Sequence, residues 1–186
     1  MKRFKPVILT IYCFCMWSVL NAQQADPRLS NDILQPEELL QMEIDATSSN
    51  AAYIQQIGDR NSITLEQRLG ADDGANIAKA YQDGFRNRAI LLQNGNANEL
   101  GLLQAGEYNF ARVTSDGNNN NLLIVQEGNN NKIVQRLINS DQINAELIQQ
   151  GNNNEIIQVL QGISNQNYRV EQIGNNLKIE IRQTSY

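Results

Sequence analysis

Few side chains in this sequence could carry out covalent chemistry. It contains no histidine, and its two cysteines, Cys13 and Cys15, sit in an apolar run near the start. Without a histidine or a downstream thiol, the usual nucleophile–base pairs cannot be assembled. Asp72-Asp73 could form a carboxylate pair or a cation ligand, but its glycine-flanked setting reads as a solvated loop. Asp116-Gly117-Asn118 and similar Asn-rich stretches could hold calcium weakly, yet they lack the repeated Asp of calcium-binding β-rolls. What remains at regular spacing is amide chemistry, the paired donors and acceptors of Asn and Gln. No catalytic residue, cofactor or metal ligand is expected.

The element that would position these amides is a repeat. Gln82-x-Gly84-x-x-Asn87-x-Ala89-x-x-x-Gln93 runs straight into Gln93-x-Gly95-x-x-Asn98-x-Leu100-x-x-x-Gln104, a period of eleven residues. Asn87, Ala89, Leu91 and Gln93 are two apart, so in an extended segment they share one face. The step from Gly95 to Asn98 is odd and breaks the alternation, so the chain must turn there. Each unit is a seven-residue strand followed by a short Gly-x-x turn.

The same inward quartet recurs from Asn50 onward. It reads Asn50, Ala52, Ile54, Gln56, then Asn61, Ile63, Leu65, Gln67, then Asn76, Ala78, Ala80, Gln82. After the two central units come Asn109, Ala111, Val113, Ser115 and Asn120, Leu122, Ile124, Gln126. Asn131, Ile133, Gln135, Leu137 and Asn154, Ile156, Gln158, Leu160 exchange the last two residue types around Ile143, Ala145, Leu147, Gln149. Gln166, Tyr168, Val170, Gln172 and Leu177, Ile179, Ile181, Gln183 complete the series. Turns are marked by Gly58, Gly84, Gly95, Gly106, Gly117, Gly128, Gly151 and Gly174. The spacing departs from eleven three times. It is fifteen from Gln67 to Gln82, and twelve from Leu137 to Gln149 and from Gln149 to Gln161.

Twelve such strands predict an all-β, two-sheet β-arch solenoid of six two-strand rungs, rising about 29 Å at the usual strand spacing. Apolar residues fill the seam, and the inward Asn and Gln stack as structural ladders, each amide donating to one neighbour and accepting from the next. The first and last rungs would be open edges. Only Thr184, Ser185 and Tyr186 follow Gln183, so a chain whose end matches its middle is expected to polymerise.

Upstream of the repeat the composition changes. Lys2, Arg3 and Lys5, an apolar run from Val7 to Leu20, and Asn21-Ala22-Gln23 have the layout of a secretory signal peptide, residues 1–22. Its removal takes both cysteines away and moves the formal charge from −5 to −8, because three basic residues leave. No transmembrane segment is then expected in the mature chain, and its acidic character makes nucleic acid a poor partner. Residues 23–49, with Pro27, Pro36 and many acidic groups, read as a disordered polar leader before the solenoid at 50–186.

The eleven-residue unit resembles the curlin repeat of bacterial curli. It is matched in full at Gln82–Gln93, and with another apolar residue in place of Ala at Gln56–Gln67 and Gln93–Gln104. The resemblance implies a subunit of functional amyloid fimbriae, exported through a dedicated channel with chaperones. It further implies assembly with itself and other curlin subunits at the cell surface, supporting adhesion and biofilm. Asn50–Gly58 and Glu107–Ala111 look more like the minor subunit, the nucleator, than the major subunit. Outward charges such as Lys132, Arg136, Glu155, Arg169, Lys178, Glu180 and Arg182 read as a solvated face that also slows premature aggregation. Outward Ile90, Leu92, Ile157 and Val159 suggest a lateral contact. A monomeric ligand-binding solenoid would need a regular outward array, and positions 62, 64, 66 and 88, 90, 92 provide none.

Overall fold

A computed structural model describes residues 44, 49–70 and 74–185. The expected signal peptide, almost all of the leader and Asp72-Asp73 lie outside the described residues. The described chain is all-β. Its strands are β1 (Ala51–Asp59), β2 (Ser62–Leu69), β3 (Ile77–Phe85), β4 (Arg88–Gly95), β5 (Glu99–Glu107) and β6 (Phe110–Asp116). β7 (Asn121–Asn129), β8 (Lys132–Ile138), β9 (Asp141–Asn152), β10 (Glu155–Gln161), β11 (Ser164–Asn175) and β12 (Lys178–Thr184) follow. The odd-numbered strands form one six-stranded sheet and the even-numbered strands another, each in simple sequence order. Every neighbouring pair is parallel, for example Gln82↔Gln104 in one sheet and Leu91↔Val113 in the other. This is a β-solenoid of six turns.

The seam follows from the period-two pattern. Leu91, Leu102, Ile124, Ile133, Leu147 and Ile156 are fully buried between the sheets. Each is worth roughly 1.5–3 kcal/mol relative to exposure. Parallel strands ordinarily need covering on both faces; here the inner faces cover each other, and the outer positions are exposed or half-buried except for Lys79, Tyr81, Gly101, Leu103 and Ile148 of the odd sheet, which are buried. The two-residue alternation from inward to outward therefore survives in every strand.

The corners differ from the expected seven-residue strand with a separate glycine turn. Backbone pairing continues through the glycines, as in Gly84↔Gly106 and Gly106↔Gly128, so the odd strands run to nine or twelve residues. Two left-handed bends turn each regular corner: Gly128 at φ 109° and Asn130 at φ 55°, for instance. Asn tolerates that conformation better than most residues, which accounts for the Gly-Asn-Asn triplets. One spacing departure also falls elsewhere. Gln149 pairs with Gln172 and Leu137 with Leu160, so the second extra residue lies in the corner at Gly162, after Leu160.

Amide ladders and open end rungs

The glutamines of the odd sheet form one unbroken column. Gln56 Nε2 donates to Gln82 Oε1 at 2.5 Å, Gln82 to Gln104 at 2.6 Å, and Gln104 to Gln126 at 2.8 Å. Gln126 donates to Gln149 at 2.9 Å and Gln149 to Gln172 at 2.8 Å. From Gln82 onward each Nε2 also donates across the seam. Gln104, Gln126, Gln149 and Gln172 reach the carbonyls of Arg88, Phe110, Lys132 and Glu155 at 3.1–3.2 Å. The column therefore links rung to rung and sheet to sheet. In the even sheet it is short: Gln67 donates to Gln93 at 2.8 Å, and Ser115, Leu137 and Leu160 then take the position. Gln183 ends that column exposed, its side chain without a hydrogen bond among the described residues.

The asparagines work differently from the amide-on-amide stacking expected of them. Among the inward asparagines, direct side-chain stacking is confined to Asn50, Asn76 and Asn98. Elsewhere the amide holds backbone. In the even sheet the Oδ1 atoms of Asn61, Asn87, Asn109 and Asn131 accept the N–H of Asn87, Asn109, Asn131 and Asn154 one rung on, at 2.9–3.1 Å. Their Nδ2 atoms donate to the carbonyls of Gly84, Gly106, Gly128 and Gly151. Asn154 does the same with Leu177 N–H and Gly174. Asn76, Asn98 and Asn120 repeat the clamp in the odd sheet toward Gly95, Gly117 and Ser140. Each Asn thus fixes the corner of the next rung. The missing piece of the sequence reading was the partner, the glycine carbonyl, and its signal was the constant Gly-x-x-Asn spacing.

Gln135 and Gln158, the exchanged positions, form a separate polar pocket inside the seam. Gln158 Oε1 accepts from Gln135 Nε2 at 3.0 Å and from the Tyr168 hydroxyl at 2.9 Å. Gln135 Oε1 is buried without a partner. Burial pushes the Tyr168 hydroxyl up to about 12, above its ordinary value of 10.0, against the opposing hydrogen bonds from Gln135 and Gln158. A raised phenol contributes stability that is complete below pH 10 and is lost as pH climbs through the folded value. Absorbance titration of the assembled protein near 295 nm is expected to show a last tyrosinate step near pH 12 that Tyr168→Phe removes. If the step survives the substitution, Tyr168 is not the buried phenol.

Outside the seam, Glu155 lies between Lys132 and Lys178 in one column, at 2.9 Å from each. Hydrogen bonds from those two ammonium groups, Lys132 first, hold its carboxyl below the usual range. Ile90, Leu92, Ile157 and Val159 are half-buried by their neighbours along the sheet. Among the described residues no group of three or more His, Cys, Asp or Glu could hold a metal ion, and no helix is long and apolar enough to cross a membrane.

The end rungs are the one place where seam positions reach solvent. Ile54 in β1 is 37% exposed, Leu177 beside β12 is 40% exposed, and Ile63, Leu65, Ile179 and Ile181 are half-buried. Their counterparts in the middle rungs, such as Leu102 and Leu91, are at 0%. Among the described residues, each sheet ends in an edge strand at either end, β1 and β2 at one and β11 and β12 at the other.

No curated protein and no solved structure gives a significant match. The family model of the curlin associated repeat matches residues 75–106 and 95–128. These overlapping matches run from β3 into β7, the most regular part of the solenoid, and they support the curlin family as the one that this chain resembles.

Proposed function

We propose that the chain is a secreted structural subunit of curli-type amyloid fimbriae and that it grows by adding copies rung on rung at its open ends. The observation that carries the reading is the partial exposure of the seam at both end rungs, on strands that are the sheet edges among the described residues. The curlin associated repeats at 75–128 support it. Residues 1–22 direct export, the secretion channel and chaperones of curli deliver an unfolded chain, and the fibre serves adhesion and the biofilm matrix. Within that system the chain acts as the minor subunit, nucleating the major curlin at the cell surface. The basis is the likeness of Asn50–Gly58 and Glu107–Ala111 to that subunit.

The test is assembly from the denatured chain starting at Gln23, followed by thioflavin T fluorescence and electron microscopy. Parallel wells hold the same organism's other curlin with a few per cent of this chain. Rapid fibre formation that abolishes the partner's lag is the expected result. A long lag that itself requires seeding would make this chain the main building subunit instead. A soluble monomer that unfolds cooperatively would overturn the polymerisation reading.

A further inference from the structure

The two outer faces of the solenoid carry opposite charge. In the even sheet, the outward column through Arg88 holds Lys132 and Lys178 against Glu155 alone, and the column through Glu66 adds Arg136 and Arg182. The remaining two outward columns balance, Arg112 with Glu180 and Arg68 with Asp116. The face therefore bears seven basic against four acidic residues, three positive charges in excess. The odd sheet is the reverse. Its outward basic residues are Lys79 and Arg169. Against them, between the glycine corners, stand Asp83, Glu99, Glu127, Glu146 and Glu171, three negative charges in excess.

The surplus charges are also the ones left without an ion pair. Lys79 is neutralised by Glu99 and Arg169 by Glu146 and Glu171 on their own face. Asp83 and Glu127, two rungs apart in one column across Ala105, have no basic partner among the described residues. On the opposite face Arg112 and Arg136, on consecutive rungs, likewise have none. Each face adds half-buried apolar area beside these charges: Val125 next to Glu127, Val134 and Ile90 next to Arg112. Sheets stack about 10 Å apart, close to the Debye length of about 8 Å at physiological salt, so face-to-face attraction would be felt but screenable. In a fibre the pattern recurs with every subunit, and many weak pairs act together.

From this we infer that fibres of this chain bundle laterally, the acidic odd face of one copy against the basic even face of another. The inference rests on the fibre reading above and adds the surface and the partner, a second copy of this chain. The test uses fibres assembled at low salt and imaged by electron microscopy, with thioflavin T reporting assembly itself. Wild-type fibres are expected to be bundles that separate into single filaments in about 0.5 M NaCl. Arg112→Glu with Arg136→Glu, and separately Asp83→Lys with Glu127→Lys, are each expected to give single filaments at low salt with unchanged thioflavin T yield. The four changes together are expected to restore bundles. Bundles that persist in both double variants, or a fourfold variant that stays single, would overturn the inference. Loss of bundling in the arginine variant alone would also do so, because the basic face would then take another anion. No fibres from the wild type at all would instead count against the fibre reading itself.

Discussion

Gly128→Ala is expected to destabilise the assembled solenoid by about 3–5 kcal/mol. A Cβ on Gly128 would stand 2.0 Å from the carbonyl oxygen of Gly151, far inside contact distance. That carbonyl cannot easily retreat, since it accepts Asn131 Nδ2 at 2.8 Å. The backbone there sits at φ +109°, which a side chain disfavours at a cost of order 1–3 kcal/mol. Overpacking against fixed backbone adds about as much again. Gly174 provides the internal control. Its φ is +129°, but a Cβ would meet only Leu177 Cδ1 at 3.6 Å, because no described rung lies beyond it. Gly174→Ala in the free chain should therefore show only the strain component. Denaturant midpoints of the two variants before polymerisation, and of their fibres after it, separate the effects. Equal losses at both positions before polymerisation would mean that the rung-to-rung approach of glycine to carbonyl is not what selects glycine.

The second large effect is expected at Gln104. Replacing it with Leu removes the acceptor of Gln82 Nε2 at 2.6 Å and the donor to Gln126 Oε1 at 2.8 Å, both fully buried. It also removes the donor to the Arg88 carbonyl across the seam. An unsatisfied buried polar group costs about 1–3 kcal/mol, so a loss of about 3 kcal/mol or more is expected. Gln56→Leu, in the exposed first rung, breaks a single bond and leaves one buried acceptor, Gln82 Oε1, so it should cost only about 1 kcal/mol in the free chain. The even sheet shows why the context matters. There Leu137 and Leu160 occupy the ladder position next to each other, and the one amide beside them, Gln183, is exposed, so no buried amide is orphaned. Denaturant titrations of the two variants in parallel decide the point, and a Gln104→Leu loss as small as that of Gln56→Leu would refute the ladder as a stabilising element.

Much of this architecture was legible in the sequence for one physical reason. A period-two face repeated every eleven residues admits only a strand, a corner and a return, so the twelve strands and their inward residues follow from Asn, Gln and the apolar pairs. The strand order follows too, since successive rungs can only stack. The partner of each asparagine was not legible, because a backbone carbonyl has no letter in a sequence and the Gly-x-x-Asn spacing marks only that the two belong to one corner. Only the closeness of Asn109 Nδ2 to Gly128, at 2.7 Å, identifies the corner clamp. Nor could counting alone place the second extra residue, since Gln161 and Leu160 both continue a Gln-or-Leu pattern. The register Leu137↔Leu160 decides between them. The Gln135–Gln158–Tyr168 pocket was hidden for a related reason: three inward residues from β8, β10 and β11 meet only once the seam closes.

The central claim is that the end rungs of separate copies continue the internal stack. Ile54 of β1 and Val170 of β11 belong to one inward column, running through Ala80, Leu102, Ile124 and Leu147. In-register stacking would place position 170 of one copy beside position 54 of the next at the strand spacing of about 4.8 Å, within disulfide reach. A chain starting at Gln23 has no cysteine of its own. Ile54→Cys chains and Val170→Cys chains would be mixed, assembled, then oxidised, and the cross-links identified by mass spectrometry. The account predicts 54–170 disulfides as the dominant product. Fibres rich in 54–54 or 170–170 links, or with none at all, would contradict it.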